Sequence, residues 1–430
     1  MEFHEPPPQR AAKLAPGFSF RRLAMIVAAR AVRSPLVIIL CGCAIAALTF
    51  GPRSAAGLLL TPISESHGWG RDVFAMSFAI QNLLWGVGQP FAGAVADRFG
   101  AVRVLMLGGL LYAAGLALMP FSSDPLGMHL SAGVLIGFGL SGASFSLVIG
   151  AFGKLLPPEW RTLGFGFGTA AGSFGQFIFT PFASALVTAY GWQATVLIFA
   201  ALMLLVVPLS LALAAPKAAP GDGPRVLDQT IREAIAEAAR TPSYWLLVVG
   251  FFTCGFHLAF ITAHLPPYLI DHGVSPTIGG WTLALIGLFN IAGSLSSGVL
   301  AGRMPKRVLL AAIYFARGVL IVGFITLPVT PATSLAFGAG IGLLWLSTIP
   351  PTSGIVATLF GTRYLTMLYG FVFFSHQVGS FFGVWLGGLL YERTGSYDVV
   401  WWIAIALSVM SGLINLPIRE VPVARLAAAT

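Results

Sequence analysis

Five side chains stand out by type and place: Arg53, Arg317, His257, His264 and His376 each sit within a stretch otherwise too apolar to carry charge. All 15 acidic residues lie elsewhere, in tails, between apolar runs or at their ends, and none sits in the middle of one. A guanidinium in an apolar medium costs several kcal/mol unless it faces a polar cavity and meets an anion. The chain supplies no carboxylate at that depth, so the compensating charge is expected from a visitor, which points to an anionic ligand. Arg53 is the first candidate because it follows Gly51-Pro52, a pair that breaks a helix and frees carbonyls. His257 and His376 fall near the middle of their runs, where an imidazole can hydrogen-bond a carboxylate and titrate near neutral pH. The alternative for each is a neutral histidine bonded to a helix carbonyl.

The elements that must carry these residues follow from composition. Of 430 residues, 57% are hydrophobic and 9% charged, against about 25% charged in a soluble domain. Most of the surface must therefore face lipid. A spanning helix takes about 20 apolar residues, and twelve such runs occur: 36–61, 73–96, 103–122, 127–153, 162–188, 193–215, 243–270, 278–301, 308–328, 333–359, 365–390 and 398–417. The expected fold is an all-α membrane protein. Its parts would be a tail over 1–35, six helices over 36–215, a linker with an amphipathic helix over 216–242, six helices over 243–417, and a tail over 418–430. Residues Phe18 to Val32 carry three arginines beside apolar residues and suit a helix lying on an anionic membrane face, or else a basic tail. Cys41, Cys43 and Cys254 all lie in apolar runs and suit packing.

Charge placement orients the chain. Of 24 basic residues, 20 fall on the side of the two termini and only Arg71 and Arg393 on the other, so both termini are expected in the cytoplasm of a cell membrane. The net charge of +9 is explained by these loops and calls for no nucleic-acid partner. The halves repeat. Gly93-Ala-Val-Ala-Asp97-Arg98-Phe-Gly100-Ala-Val-Arg103 follows the second run, and Gly298-Val-Leu-Ala-Gly302-Arg303-Met-Pro-Lys306-Arg307 follows the eighth. Glycines recur every fourth residue in the fifth run (Gly164, Gly168, Gly172) and the eleventh (Gly379, Gly383, Gly387), which lets helices approach closely.

The stretch Gly93 to Arg103 resembles the signature between helices two and three of the major facilitator superfamily. Twelve runs in two sixes with a long central connection are similar to that family throughout. The resemblance implies two pseudo-symmetric six-helix bundles rocking around a site at mid-membrane, with Gly93, Asp97, Arg98, Gly100 and Arg103 forming a conformational latch. The second copy has Gly302 where the acid would stand. Gly68-Trp69-Gly70-Arg71, with Gln81-Asn82-Leu-Leu-Trp85-Gly86 after it, is similar to the bacterial monocarboxylate and oxalate/formate branch. That branch pairs an asparagine of the eighth helix with an arginine one turn later; here Asn290 is followed by Ser294.

These readings combine into an expected secondary transporter for a small, monocarboxylate-like organic anion, coupled to protons. Its binding set is Arg53, His257, His376, Asn290, Asn82, Trp345, Tyr369 and Gln377, with His257 and His376 as proton-coupling candidates. Arg317, on the ninth run, better suits capping a neighbouring helix or meeting lipid. His264, just before Leu265-Pro266-Pro267, suits a gate. The other reading is an exporter of hydrophobic drugs or metabolites by proton antiport, though such proteins exploit a membrane carboxylate. His257 and His264 lack a His-Glu-x-x-His spacing, and neither a nucleophile elbow nor a phosphate loop occurs, so no enzyme, cofactor or metal is expected. The expected partners are the anion, protons and lipid, and the chain is expected to act as a monomer.

Overall fold

The computed structural model describes residues 34–214, 229–361 and 364–427, without the side chains at 97–99, 158, 159, 161–163, 165, 169 and 366. The expected surface helix over Phe18–Val32 lies outside the described residues.

Helix α1 (Pro35–Ser54) starts where Ser34 Oγ accepts the Val37 N–H at 3.2 Å, with Pro35 in the first turn where no N–H partner is needed. It carries Pro52 and Arg53 in its last turn and breaks at Ala55, from which α2 (Ala56–His67) continues the first crossing. Then come α3 (Arg71–Phe99), α4 (Ala101–Leu118), and a fourth crossing assembled from α5 (Pro125–Met128), a π-helical stretch His129–Leu135, α6 (Ile136–Gly142) and α7 (Phe145–Leu155). Helix α8 (Pro158–Met203) holds the fifth crossing and the start of the sixth, folded back at Gly191, whose φ of 78° suits glycine alone. Helix α9 (Val206–Ser210) extends the sixth.

After the linker helix α10 (Ile231–Ala239) come α11 (Pro242–Asp271), α12 (Pro276–Ala301), α13 (Lys306–Thr326), α14 (Pro331–Leu344) with α15 (Ile349–Phe360), α16 (Leu365–Thr394) and α17 (Asp398–Asn415), then a short α18 (Ala424–Ala427). Among the described residues nine stretches are long and apolar enough to cross a membrane, and one of them, Gly166–Leu213, crosses twice. The remaining crossings are α3 and α16, of 29 and 30 residues. They are less apolar because they hold Ser77, Gln81, Asn82 and Gln89, and Ser375, His376, Gln377 and Ser380. These two helices pack on one another across the divide between the halves, as do α8 and α12. The result is twelve transmembrane helices in two bundles.

The repeat is visible in the breaks. The sequence offset that carries Gly93 onto Gly298 carries Ala143, at the break between α6 and α7, onto Thr348, at the break between α14 and α15. The glycine ridges stitch helices within a bundle. A Cβ on Gly379 or Gly383 would strike the backbone of Phe252 or Phe256 on α11, and one on Gly387 would strike the His264 ring. In the first half, Gly164 and Gly168 face Leu156, Ile149 and Phe152, and Gly172 faces Phe50. The alanine variant of Gly383 is therefore expected to lose about 1–3 kcal/mol through overpacking. A lowered melting temperature in size-exclusion chromatography of heated samples would show it, and an unchanged one would mean that α11 and α16 can separate freely.

In the linker the sequence places Leu227, Ile231, Ala234 and Ile235 at helical spacing, as one apolar face, and of these the structure buries Ala234. Ala234 and Ala238 are buried against the second bundle, whereas Ile231 and Ile235 are exposed, because alanines one turn apart allow a closer approach than isoleucines. Leu227 lies outside the described residues. Thr230 caps this helix: its N–H donates to Glu233 at 2.8 Å and its hydroxyl accepts the Glu233 N–H at 3.3 Å. The backbone and hydroxyl of Thr230 hold the Glu233 carboxyl below the usual carboxylate range. Arg425 closes on Glu237 at 3.4 Å, fixing the C-terminal segment to the same place.

Candidate functional site

Arg53 enters the first bundle at mid-height of the first crossing, carried by the last turn before the Ala55 break. Its Nη2 donates to Asn82 Oδ1, and Asn82 Nδ2 is itself tied to the Phe78 carbonyl at 2.8 Å, which fixes the amide so that its oxygen faces the cation. The guanidinium lies 4.8 Å from the Trp85 ring centroid, with Phe78 and Phe50 at 5.4 and 5.9 Å. Its Nε has no hydrogen-bond partner, nor does Gln81 Oε1. Both residues line a cavity of ≈ 30 Å³ with Tyr112, Ile136 and Phe199 inside the first bundle, a volume suited to one or two waters rather than an organic acid. Arg53 thus meets one amide oxygen and three aromatic faces, and no carboxylate among the described residues. Its charge is uncompensated.

Trp85 carries this site to the second bundle. Its ring meets Phe373 of α16 edge-on at 5.6 Å, and Phe373 stacks on His376 at 5.4 Å. Gln377 is fully buried with neither amide atom hydrogen-bonded, and it approaches Gly86, whose missing Cβ makes the space. Tyr369, two turns below His376, lies 6.2 Å from Phe251. Trp85 thus links the Arg53–Asn82 pair, inside the first bundle, to His376 and Gln377 at the bundle interface, with Tyr369 on the same helix.

The remaining expected residues lie apart from that group. His257 faces α17 inside the second bundle, its Nε2 donating to the Ala404 carbonyl at 2.8 Å, so it takes the helix-carbonyl alternative raised for it. Asn290 is spent on structure: Nδ2 donates to Ser173 of α8 at 2.8 Å, while Oδ1 accepts from Leu346 N–H at 2.9 Å and Ser294 at 3.1 Å. Trp345, 2% exposed, sits in the break between α14 and α15. Arg317 reaches that same break and donates to the carbonyls of Leu344 (2.6 Å) and Trp345 (2.5 Å). Of the motif latch, Gly100 turns the chain with φ 91°, Gly93 has open space where a Cβ would stand and Arg103 is exposed. The side chains of Asp97 and Arg98 lie outside the described residues.

Sequence reasoning missed two features. Phe373, one of 33 phenylalanines, carried no signal. The other is a cluster at the end away from the termini, where Arg71 of α3 makes a bidentate pair with Asp271 of α11 at 2.7 Å for both bonds. The Arg71 N–H also donates to Glu392 of α16 at 2.6 Å, and its guanidinium stacks 4.0 Å from Tyr391. Its signal was that Arg71 is one of two basic residues on that side.

Contacts between the bundles run from this cluster to the Trp85–Phe373 and Asn290–Ser173 pairs at mid-height. Toward the termini, Phe91 and Val95 of α3 and Phe371 of α16 are exposed instead.

Comparison with known proteins agrees with this architecture. The family model for the Major Facilitator Superfamily matches residues 42–350. The chain is 26% identical to the MFS-type transporter YcxA of Bacillus subtilis (strain 168), over 85% of this chain and 90% of that one. It is 24% identical to monocarboxylate transporter 11 of Homo sapiens, over 86% of this chain and 79% of that one. Among solved structures, a D-xylose-proton symporter superposes with a TM-score of 0.67 at 15% identity, covering 89% of this chain and 97% of that chain. A bacterial homologue of the lysosomal transporter Spinster does so at 0.65 and 15%, covering 88% and 93%. With well over half its length matched by the family's model, the chain belongs to the major facilitator superfamily.

Proposed function

We propose that this protein carries a small, monocarboxylate-like organic anion across the cell membrane by alternating access, coupled to protons, with both termini in the cytoplasm. The observation that carries the reading is the Arg53 guanidinium, set among aromatic rings with a neutral amide as its one hydrogen-bond partner. A carboxylate arriving there, in a state of the cycle in which the ≈ 30 Å³ cavity has widened, supplies the missing charge and forms charge-assisted hydrogen bonds with the guanidinium. Gln377, buried beside Gly86 at the bundle interface with both amide atoms unpartnered, is a further donor available as the bundles rock. Relatives named monocarboxylate transporters support the substrate class, and the basic loops on the side of the termini support the orientation. On that orientation, bundles joined from mid-height to the outer end describe an inward-facing state.

The test is a thermal-shift screen of purified protein against lactate, pyruvate and aromatic acids, with the matching primary amides as controls. Stabilisation that rises with acid concentration, by about 2.7 kcal/mol at a hundredfold excess over Kd, and is absent for the amides is the expected result. Stabilisation by hydrophobic cations instead would favour drug export.

A further inference from the structure

We propose that Arg71, Asp271, Tyr397 and His264 form a proton-responsive latch closing the end of the protein away from its termini. The inference rests on the alternating-access reading but not on the anion assignment.

The hydrogens in this cluster can be placed from the chemistry of each partner. His264 Nε2 lies 2.8 Å from the Val384 carbonyl, which can only accept, so Nε2 carries the hydrogen. Nδ1, 3.3 Å from Tyr397 Oη, is then an acceptor in the neutral ring, and the phenol donates to it. The same phenol oxygen accepts from Arg71 Nη1 at 3.1 Å, and Arg71 holds Asp271 with both terminal nitrogens. An unbroken, directed chain runs from an ion pair joining the two bundles to a fully buried imidazole. Gly387 makes room for that imidazole, since a Cβ there would overlap the ring.

A proton on Nδ1 reverses one link. Two donors, Nδ1–H and the phenol O–H, then face each other, so the phenol must swing its hydrogen to another acceptor. The Asp271 carboxylate is held by the same guanidinium that meets the phenol, and a phenol turned on it competes with that guanidinium. The new positive charge also stands one shared oxygen from Arg71, in surroundings that screen little. Both effects loosen the Arg71–Asp271 pair. Other charged and titratable groups on the elements packed around the cluster include Glu65 and His67 of α2, Asp72 of α3, Tyr268 and His272 of α11, Tyr391, Glu392 and Arg393 of α16, and Asp398 of α17. The carboxylates among them also titrate in acid, so the test must isolate His264.

His264→Gln does this. A glutamine keeps an N–H for Val384 and an oxygen for Tyr397 and does not titrate between pH 5 and 8. Hydrogen exchange of the protein in nanodiscs, without substrate, would be followed by mass spectrometry for segments 62–75 and 264–275 and corrected for intrinsic rates. In the wild type, exchange at pD 5.5 is expected to exceed that at pD 8 by about tenfold, the scale of a modest population shift. In His264→Gln the ratio is expected to fall to about one with both rates slow. Tyr397→Phe, which removes only the hydroxyl and leaves the charge repulsion between His264 and Arg71, should raise both rates and reduce the ratio, and it serves if the glutamine variant does not fold. A wild type without the ratio, His264→Gln retaining it, or Tyr397→Phe showing the full wild-type ratio overturns the proposal. Because no anion is present, failure here leaves the Arg53 reading standing, and failed transport in an Arg53 variant leaves this ratio unchanged.

Discussion

Replacing Arg53 with glutamine is expected to lower kcat/KM for a small carboxylate by about 100- to 1,000-fold, the equivalent of about 3–4 kcal/mol for removing one partner of a desolvated, hydrogen-bonded charge pair. The fold should survive, because the substitution relieves an unpaired buried charge and leaves an amide able to bond Asn82 Oδ1, Arg53's present partner. Arg53→Lys retains the charge but loses the planar fork that meets a carboxylate with two bonds, so its loss should be intermediate. Asn82→Leu should act in the opposite sense on the free protein. It strands the guanidinium and lowers stability, and added substrate should restore more stability than in the wild type. Uptake of labelled lactate, pyruvate or an aromatic acid into proteoliposomes measures the first two variants. Wild-type uptake by Arg53→Gln would end Arg53's role in binding.

What the sequence disclosed was set by how local each signal is. Helix count, the six-plus-six division and the orientation rest on runs of about 20 residues and on loop charges, and the first two appear as expected. The broken first helix was legible from Gly51-Pro52, and the equivalence of the halves from Gly93 and Gly298. What was not legible was which way a polar side chain faces. His257 and His376 look alike in sequence, each a histidine near the middle of an apolar run, yet one turns to a carbonyl of α17 and the other stacks on Phe373 at the bundle interface. Asn290 was singled out by resemblance, but the tenth crossing is broken next to it, and the freed Leu346 N–H takes its oxygen. The Arg71–Asp271 pair joins residues 200 positions apart, and no local pattern links helix-end residues at that separation.

The two buried arginines show most clearly why residue type alone could not settle function, and Arg317 gives the largest stability effect expected of any single substitution here. Its side chain is wholly buried. The break between α14 and α15 leaves the Leu344 and Trp345 carbonyls without helical partners, and lipid offers no water to satisfy them. Arg317 does so from α13, through Nε and Nη2 to Leu344 (3.1 and 2.6 Å) and Nη2 to Trp345 (2.5 Å), with Cys254 Sγ at 3.7 Å. In the first half the equivalent break at Ala143 is bridged by neutral groups: Gln89 donates to Ser144 Oγ at 2.9 Å. Arg317→Leu removes the donors and leaves two carbonyls unpaired, at a cost of about 2–6 kcal/mol, a large part of the 5–15 kcal/mol that typically holds a fold together. The expected outcome is loss of monodisperse protein in size-exclusion chromatography, with Arg317→Lys partly restoring it through a single amine. A leucine variant that stays monodisperse with a wild-type melting temperature would mean that the break satisfies itself. Arg317 would then be as free as Arg53 to meet an anion, and the distinction between a cation with acceptors and a cation without them would no longer single out a site.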